Sequence, residues 1–420
     1  MLAGIAVVLL IGILLGWAVK RFRQPAVIGE IAAGIVLGPS VLGLLPGDLP
    51  HKIFPTDVRP LLSAVSQVGL VLFMFLVGWE FEKRLIRPQR GVAAVTSLSS
   101  IALTFAFGVA LATVLYPHHS EVAGHHISFT VFALFLGAAM SITAFPVLAR
   151  ILSDNRLSNT RVGSLALAGA AVGDVLAWCM LAYVSALVTS DGQVSTLARI
   201  GLFSALYIGL MILLRPLIAI VVTRWAAAGN WRSLLVMLCA GAFLSSWATT
   251  WIGIHAIFGA FVFGFIMPRE PVAFVGEYLL KPLNHIALVL LPVFFIVTGL
   301  SVNIGGLGGR QYLELIAIII VACAGKLLGA ILPARAAGLS WRESRTLGLL
   351  MNTRGLTELI ILNAAVTLGV LDNQMFTMMV IMALVTTALA GPLLPRLDQL
   401  STDHPAIPQP ASVLDVVGAR

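Results

Sequence analysis

The sequence reads Met140-Ser-Ile-Thr-Ala-Phe-Pro146 within one long apolar segment and Met351-Asn-Thr-Arg-Gly-Leu-Thr-Glu358 within another. Each stretch places polar residues beside a helix breaker, where a membrane-crossing helix is normally apolar. The distribution of basic residues between loops gives the two segments opposite directions across the membrane. Interrupted helices in opposite orientation predict an inverted-repeat transporter with its site near the bilayer midplane. Because Gly and Pro are frequent in ordinary membrane helices, the adjacent polar residues are what favours a functional break.

The composition excludes a soluble fold. The 420 residues are 59% hydrophobic and 10% charged, with a mean hydropathy of +1.01, whereas soluble domains are roughly 25% charged. Apolar runs bounded by charges, Pro and Gly predict an all-α polytopic membrane protein with about thirteen transmembrane helices. The predicted segments are 2–19, 27–45, 60–79, 92–116, 128–151, 162–188, 198–222, 233–249, 252–268, 283–301, 312–333, 344–370 and 374–395.

The 26 Lys and Arg residues are distributed unevenly between alternate loops. Nineteen fall in one set of loops, and four fall in the other set: Lys52, Arg59, Arg199 and Arg310. By the positive-inside rule the first set is cytoplasmic, so we expect the N-terminus outside and the C-terminus in the cytoplasm. The net charge of +8 is therefore attributed to membrane topology and not to a nucleic-acid partner.

The chain divides into a transmembrane domain, residues 1–395, and a short cytoplasmic tail, residues 396–420. Four histidines, His118, His119, His125 and His126, occupy the predicted outer loop between the fourth and fifth segments. Such a cluster can bind a metal or respond to pH, but a solvated loop is the favoured interpretation.

Five charged residues lie deep inside predicted segments, where each costs at least about 2.5 kcal/mol near the bilayer centre, whereas Arg215 and Glu314 lie nearer segment ends. The five are Glu30, Asp174, Lys326, Arg354 and Glu358. Asp174 is the strongest functional candidate because it lies far from both ends of its segment. A single carboxylate can bind a proton and a small cation in turn, since either one neutralises the same charge. A permanent salt bridge is the structural alternative for Asp174.

The other intramembrane charges have structural interpretations beside functional ones. Arg354 and Glu358 are spaced i, i+4, so they can form an ion pair that stabilises an unwound helix or can act in transport. Lys326 lies among small residues that permit close helix packing, and it can pair with Asp174, carry a proton or balance half-helix dipoles. Glu30 also lies among small residues, and we expect it to be structural.

The two broken segments supply oxygen ligands. Ser141 and Thr143 precede Pro146, which we expect to have a structural role in the break. Hydroxyl groups and freed backbone carbonyls are the hard ligands that Na⁺ or K⁺ prefers, although such residues are more often helix-packing hydrogen bonders. Asn352 in the second break is assigned, with Lys326, to the ion pathway or its charge balance.

Several segments resemble a known family in the order in which they occur. They are Arg23-Gln-Pro-Ala-Val-Ile-Gly-Glu30 with Gly38-Pro39-Ser40, residues 140–150, residues 170–175, His255-Ala-Ile-Phe-Gly259, Lys326-Leu-Leu-Gly329 and residues 351–360. Together they resemble the cation:proton antiporter family, in the branch that contains Kef-type potassium efflux systems, bacterial Na⁺/H⁺ antiporters and plant cation/H⁺ exchangers.

The resemblance implies a core domain with two crossed, discontinuous helices, an interleaved dimerisation domain, and elevator-type alternating access in a homodimer. It implies that Asp174 is the shared cation and proton site, that Thr143 is the polar position of the first broken helix, and that Lys326 faces the aspartate. The broken helices are expected near 140–150 and 351–359. Nucleotide-dependent gating of the Kef type would require a separate cytosolic regulatory subunit.

Gly173, which we expect to have a structural, helix-packing role, departs from the family pattern, which usually has Asn, Asp or Gln immediately before the essential aspartate. With one titratable carboxylate, the simplest expectation is electroneutral exchange of one cation for one proton. If Lys326 also carries a proton, the stoichiometry stays open.

We therefore expect a secondary antiporter in the lipid bilayer of a bacterial cytoplasmic membrane that exchanges K⁺ or Na⁺ for H⁺. No cofactor and no enzymatic activity are expected, and the transported cation is the metal that Asp174 would bind. A cation channel and a sodium-coupled carrier of a small organic anion are the alternatives, the latter because half-helix N-termini suit carboxylates.

Overall fold

The structure is a computed structural model that describes residues 2–21, 24–46, 52–55, 58–81, 90–122, 124–154, 157, 160–190, 193–268 and 275–394. Within those ranges the chain is almost entirely helical. The predicted cytoplasmic tail, residues 396–420, lies outside the described residues.

Fifteen α-helices follow one another in the described ranges. They are α1 (Leu2–Lys20), α2 (Ala26–Leu37), α3 (Val58–Phe81), α4 (Arg90–His119), α5 (Phe129–Ser141), α6 (Phe145–Asp154), α7 (Arg161–Thr189), α8 (Val194–Ala227), α9 (Trp231–Ile252), α10 (Ile257–Ile266), α11 (Lys281–Leu300), α12 (Gly309–Ala336), α13 (Trp341–Met351), α14 (Leu356–Thr367) and α15 (Asn373–Leu393). A short hairpin of β1 (Glu121–Val122) and β2 (His125–His126) connects α4 to α5.

Each segment predicted from the sequence coincides with one helix or with a pair of helices. The two segments predicted to be broken are the pairs α5–α6 and α13–α14. Among the described residues, nine segments are long and apolar enough to cross a membrane. The count of about thirteen spans therefore stays a prediction.

Local sequence signals explain where several helices begin and end. Ser340 and Glu343 form a capping box that starts α13, with the Ser340 hydroxyl accepting from Glu343 N at 3.2 Å and Glu343 Oε2 accepting from Ser340 N at 2.8 Å. Gly253 ends α9 in the left-handed region, at φ 104°, so α9 and α10 are separate helices despite an almost continuous apolar sequence.

The helices pack into two groups. The first helix group comprises α1, α2, α3, α9, α10 and α11, and the second comprises α4–α7 and α12–α15. Extensive packing occurs within each group, whereas α8 contacts α9 and α10 of the first group and its chain neighbour α7 of the second. Both broken helix pairs therefore lie in the second helix group.

Small residues bring α4 and α12 into direct backbone contact on either side of Lys326. A Cβ at Gly325 would lie 2.8 Å from the Thr104 Cα, and one at Gly329 would lie 2.7 Å from the Ser100 Cα. Larger residues at these positions would separate the helices. The sequence-based expectation of close packing around Lys326 is confirmed.

Candidate functional site

The two breaks meet in the second helix group. The α5–α6 break is joined to the α13–α14 break by the Thr143 hydroxyl, which donates to Met351 O at 2.7 Å. The Ala144 amide donates to Thr353 O at 3.1 Å. These bonds satisfy backbone groups that the breaks remove from the helix ladders. We call this place, residues 141–144 and 352–355 with the side chains that contact them, the crossing.

Gly355 permits the second break. Its φ of +152° is a conformation that favours glycine, and a Cβ there would lie 2.7 Å from Val147 Cγ2 on α6. Pro146 lies in the first turn of α6, where an N–H would have no partner within the helix. Pro146 is therefore compatible with the start of the second half-helix of its pair.

Two cationic side chains neutralise the C-terminal end of α5. The Arg354 guanidinium donates to Ala139 O at 3.2 Å and to Met140 O at 2.6 Å. The Lys326 ammonium donates to Ser141 O and, at 2.8 Å, to the Thr143 hydroxyl. A helix C-terminus carries partial negative charge, so the two cations stabilise the half-helix end. Of the three roles left open for Lys326, this geometry matches the balance of a half-helix dipole.

Arg354 also pairs with Glu358, as their i, i+4 spacing predicts. The Arg354 Nη1 atom lies 3.5 Å from Glu358 Oε1, and both side chains are fully buried. Glu358 occupies the first turn of α14, where the partial positive charge of a helix N-terminus favours a carboxylate.

Asp174 lies near the middle of α7 with 6% of its surface exposed. The Lys326 ammonium is within electrostatic range of Asp174, Glu358 and Arg354. The sequence singled out six residues from four different predicted segments. The structure brings them together: Asp174, Lys326, Arg354, Glu358, Ser141 and Thr143.

Gly173 tolerates the addition of a Cβ atom. A Cβ at this position would make an ordinary contact, 3.6 Å from Ile101 Cδ1, so no close contact at this position requires glycine.

Asn352 and Glu30 have different surroundings. Asn352 is buried at the end of α13, and its side chain donates to the Cys323 Sγ at 3.5 Å. Glu30 is half-buried on α2, in the first helix group. Its neighbours Gly29 and Gly34 contact the backbones of α1 and α11, which agrees with the tight packing expected around Glu30.

The sequence did not identify Thr387 as part of the site. This buried residue of α15 bonds to both backbone groups of Arg354 across the second break. A threonine in an apolar helix is a weak sequence signal for a site residue, since its hydroxyl often bonds to a carbonyl of its own helix.

The prediction of a solvated histidine loop is wrong for His119. Its side chain is 1% exposed, with Nδ1 2.5 Å from Asp372 Oδ2 and Nε2 3.1 Å from Glu314 Oε2. Glu314 also lies 3.3 Å from His118 Nδ1 and 3.4 Å from Arg310 Nε. The helices α4 and α15 both pack against α12, which brings Asp372 to His119 and removes the histidine from solvent. His119, Glu314 and Asp372 form what we call the His119 cluster.

The comparisons with known proteins agree with the fold. The family model described as sodium/hydrogen exchanger, transmembrane, matches residues 5–398. The chain is 42% identical over 404 residues to the Na⁺/H⁺ antiporter NhaS4 of Synechocystis sp., covering 94% of this chain and 96% of that relative.

Eukaryotic relatives are longer. Cation/H⁺ antiporter 15 of Arabidopsis thaliana is 39% identical over 378 residues, covering 89% of this chain and 45% of that protein. K⁺/H⁺ antiporter 1 of Saccharomyces cerevisiae is 34% identical over 385 residues, covering 89% of this chain and 43% of that protein. This chain spans somewhat under half the length of both.

A solved structure confirms the fold. The sodium proton antiporter MjNhaP1 of Methanocaldococcus jannaschii superposes with a TM-score of 0.60 over 93% of this chain and 94% of that chain, at 15% sequence identity. The predicted all-α, polytopic, antiporter-like architecture is therefore correct. The match of the family model over nearly the whole chain, with a relative of 42% identity, shows that this protein belongs to the transmembrane sodium/hydrogen exchanger family.

Proposed function

We propose that this protein exchanges a monovalent cation, Na⁺ or K⁺, for a proton, and that both compete for Asp174. The observation that carries the proposal is the crossing itself: a buried aspartate lies within electrostatic range of Lys326, which together with Arg354 neutralises the end of the first broken helix. The relatives named as Na⁺/H⁺, K⁺/H⁺ and cation/H⁺ antiporters support the same activity.

Charge balance at the crossing supports competition. With Asp174 and Glu358 ionised, their charges offset those of Lys326 and Arg354. Binding of either H⁺ or a monovalent cation at Asp174 adds one positive charge, so both loaded states carry the same net charge. The two states differ from the empty state by the same amount, which makes exchange of one cation for one proton electroneutral.

In this structure Lys326 binds two oxygens that we propose as cation ligands. Its ammonium donates hydrogen bonds to Ser141 O and to the Thr143 hydroxyl. These two oxygens would complete the coordination shell of a cation at Asp174. We infer that Lys326 releases these two oxygens, without leaving the crossing, when the cation binds, and binds them again when the cation has left. The substrate cation therefore takes over oxygens that a positive charge already occupied.

The two helix groups suggest the parts that move. We propose that the second helix group is the core that carries the crossing across the membrane, as in an elevator, and that the first helix group is the static dimerisation part of a homodimer. The connection between α11 and α12 contains Gly305-Gly-Leu-Gly-Gly309, which suits a hinge between the groups. We place the protein in a cytoplasmic membrane with its C-terminus in the cytoplasm.

Transport in proteoliposomes tests the proposal. A pH dye inside the vesicles reports proton movement when Na⁺, K⁺, Li⁺ or Rb⁺ is added, and the order of responses gives the ion preference. We expect exchange by the wild type and its loss in Asp174→Asn. Glu277→Gln is the matched control, because it removes a carboxylate from an exposed surface pair with Lys281. Exchange by Asp174→Asn at the wild-type rate would contradict the assignment of Asp174.

A further inference from the structure

Thr387 bonds to the unwound backbone of the second break. Its hydroxyl donates to Arg354 O at 2.8 Å and accepts from Arg354 N at 2.8 Å. Arg354 lies between the end of α13 at Met351 and the start of α14 at Leu356, so these backbone groups fall outside both helices. One buried hydroxyl therefore satisfies a donor and an acceptor that the break exposes.

The backbone position of Arg354 determines which carbonyls its side chain reaches. The guanidinium is fully buried and binds Ala139 O and Met140 O at the end of α5. The next carbonyl along α5, that of Ser141, is bound by Lys326. A shift of the Arg354 backbone would consequently move the end of α5, together with the oxygens proposed to bind the cation.

We propose that Thr387 is a positioning residue of the transport site, holding Arg354 so that the α5 carbonyls keep their binding geometry. Thr387 acts through Arg354 and does not itself contact the cation. The inference rests on the proposed function. It includes α15 among the helices that determine the affinity for the cation.

The neighbouring residue provides a matched control. Thr386 is also buried on α15, but its hydroxyl donates to Met382 O at 2.9 Å and Ala383 O at 3.2 Å within its own helix. Valine replaces the threonine hydroxyl with a methyl group of similar size at either position. Thr387→Val removes the bonds to Arg354, whereas Thr386→Val removes bonds that α15 makes to itself.

The experiment measures exchange rate against cation concentration in proteoliposomes for the wild type, Thr387→Val, Thr387→Ser and Thr386→Val. We expect Thr387→Val to raise the apparent KM for the cation at least about tenfold, because both hydrogen bonds to the Arg354 backbone are lost. Thr387→Ser keeps the hydroxyl and should stay within about twofold of the wild type, as should Thr386→Val. Thermal melts in detergent confirm that each variant is folded.

The outcomes separate this inference from the proposed function. A wild type without cation/proton exchange contradicts the proposed function. A wild type that exchanges, with an unchanged KM in Thr387→Val, overturns the positioning role, whatever happens to kcat. Equal KM changes in Thr387→Val and Thr386→Val also overturn it, because α15 stability would then be the cause. If Thr387→Val does not fold, Thr387→Ala and Thr386→Ala are compared in the same way.

Discussion

Thr143 connects three parts of the crossing through one hydroxyl group. It donates to Met351 O at 2.7 Å and accepts from the Lys326 ammonium at 2.8 Å, and it is buried beside Ser141. A hydroxyl has one proton to donate and two lone pairs, so it can accept from Lys326 or bind a cation while it keeps its bond to Met351. Thr143 is therefore suited to both the empty and the cation-bound state.

Thr143→Val is expected to weaken cation binding because valine keeps the shape but offers no oxygen. The apparent KM for the cation should rise about tenfold, corresponding to about 1.4 kcal/mol for one lost interaction. Thr143→Ser retains the hydroxyl and should resemble the wild type. Dye-based exchange measured over a range of cation concentrations gives both values. A Thr143→Val variant with the wild-type KM would remove Thr143 from the cation shell.

At this scale the sequence identified the charged residues but not their partners. Asp174, Lys326, Arg354 and Glu358 are conspicuous because charge is costly inside a membrane segment. The contact between Arg354 and the Met140 carbonyl joins residues 214 positions apart, so spacing along the chain carries no information about it. The pair Arg354–Glu358 could be predicted, since i, i+4 residues lie on one face of a helix.

The ends of three helices, α4, α12 and α15, meet in the His119 cluster. Both ring nitrogens of His119 face carboxylate oxygens, so both hydrogen bonds form only when the ring carries two protons or a carboxyl group is protonated. Asp372 in addition caps α15, accepting from Met375 N at 2.6 Å. The cluster thus fixes the start of α15 against the end of α4.

Asp372 gives this cluster a defined pH dependence. Burial raises the pKa of the Asp372 carboxyl, but hydrogen bonds from His119 and from the Met375 backbone outweigh burial and hold the pKa below its ordinary value. A carboxyl group whose pKa is lower in the folded than in the unfolded protein stabilises the fold at pH values above its unfolded pKa of about 3.9. That stabilisation is lost as the pH falls through the pKa of the folded state.

Asp372→Asn should therefore destabilise the protein by about 1.5–3 kcal/mol near neutral pH, since a hydrogen bond to a charged group is lost. The amide oxygen can still cap α15, which limits the change to the contact with His119. Melting temperatures are measured in detergent from about pH 3 to about pH 8. The difference in melting temperature between wild type and variant should become smaller below about pH 4. Glu277→Gln, on the exposed surface, is the control. A difference in melting temperature that stays constant with pH would exclude the charge of Asp372 as the cause of the lost stability.

At the scale of helices, the sequence predicted the broken pairs and failed at the histidine loop. Polar residues beside Pro146 and Gly355 mark breaks because they interrupt an otherwise apolar helix. His119 looked solvated because it adjoins three other histidines near a chain connection. Its burial depends on Asp372, which comes near only because α4 and α15 both pack against α12.

The whole molecule combines two helix groups with one charge-balanced crossing, and this combination predicts how transport responds to voltage. If H⁺ and the cation compete for Asp174 as proposed, both add the same charge there, and exchange by the wild type should proceed at the same rate whether or not an ionophore imposes a membrane potential. Gly173→Asp would add a second carboxylate immediately before Asp174, at a position where a Cβ makes only an ordinary contact, and should make exchange voltage-dependent. Gly173→Asn, similar in size and uncharged, should remain electroneutral. A wild-type rate that changes with potential would contradict one-for-one exchange.

The central claim is that a cation and a proton compete for one carboxylate, and proton release from the purified protein tests it most directly. Addition of Na⁺ or K⁺ to the protein in weakly buffered detergent should release about one proton per chain, because the cation displaces the proton bound at Asp174. The same addition to Asp174→Asn should release none. Equal release by the two proteins, or none from a wild type that exchanges cations in vesicles, would contradict the claim.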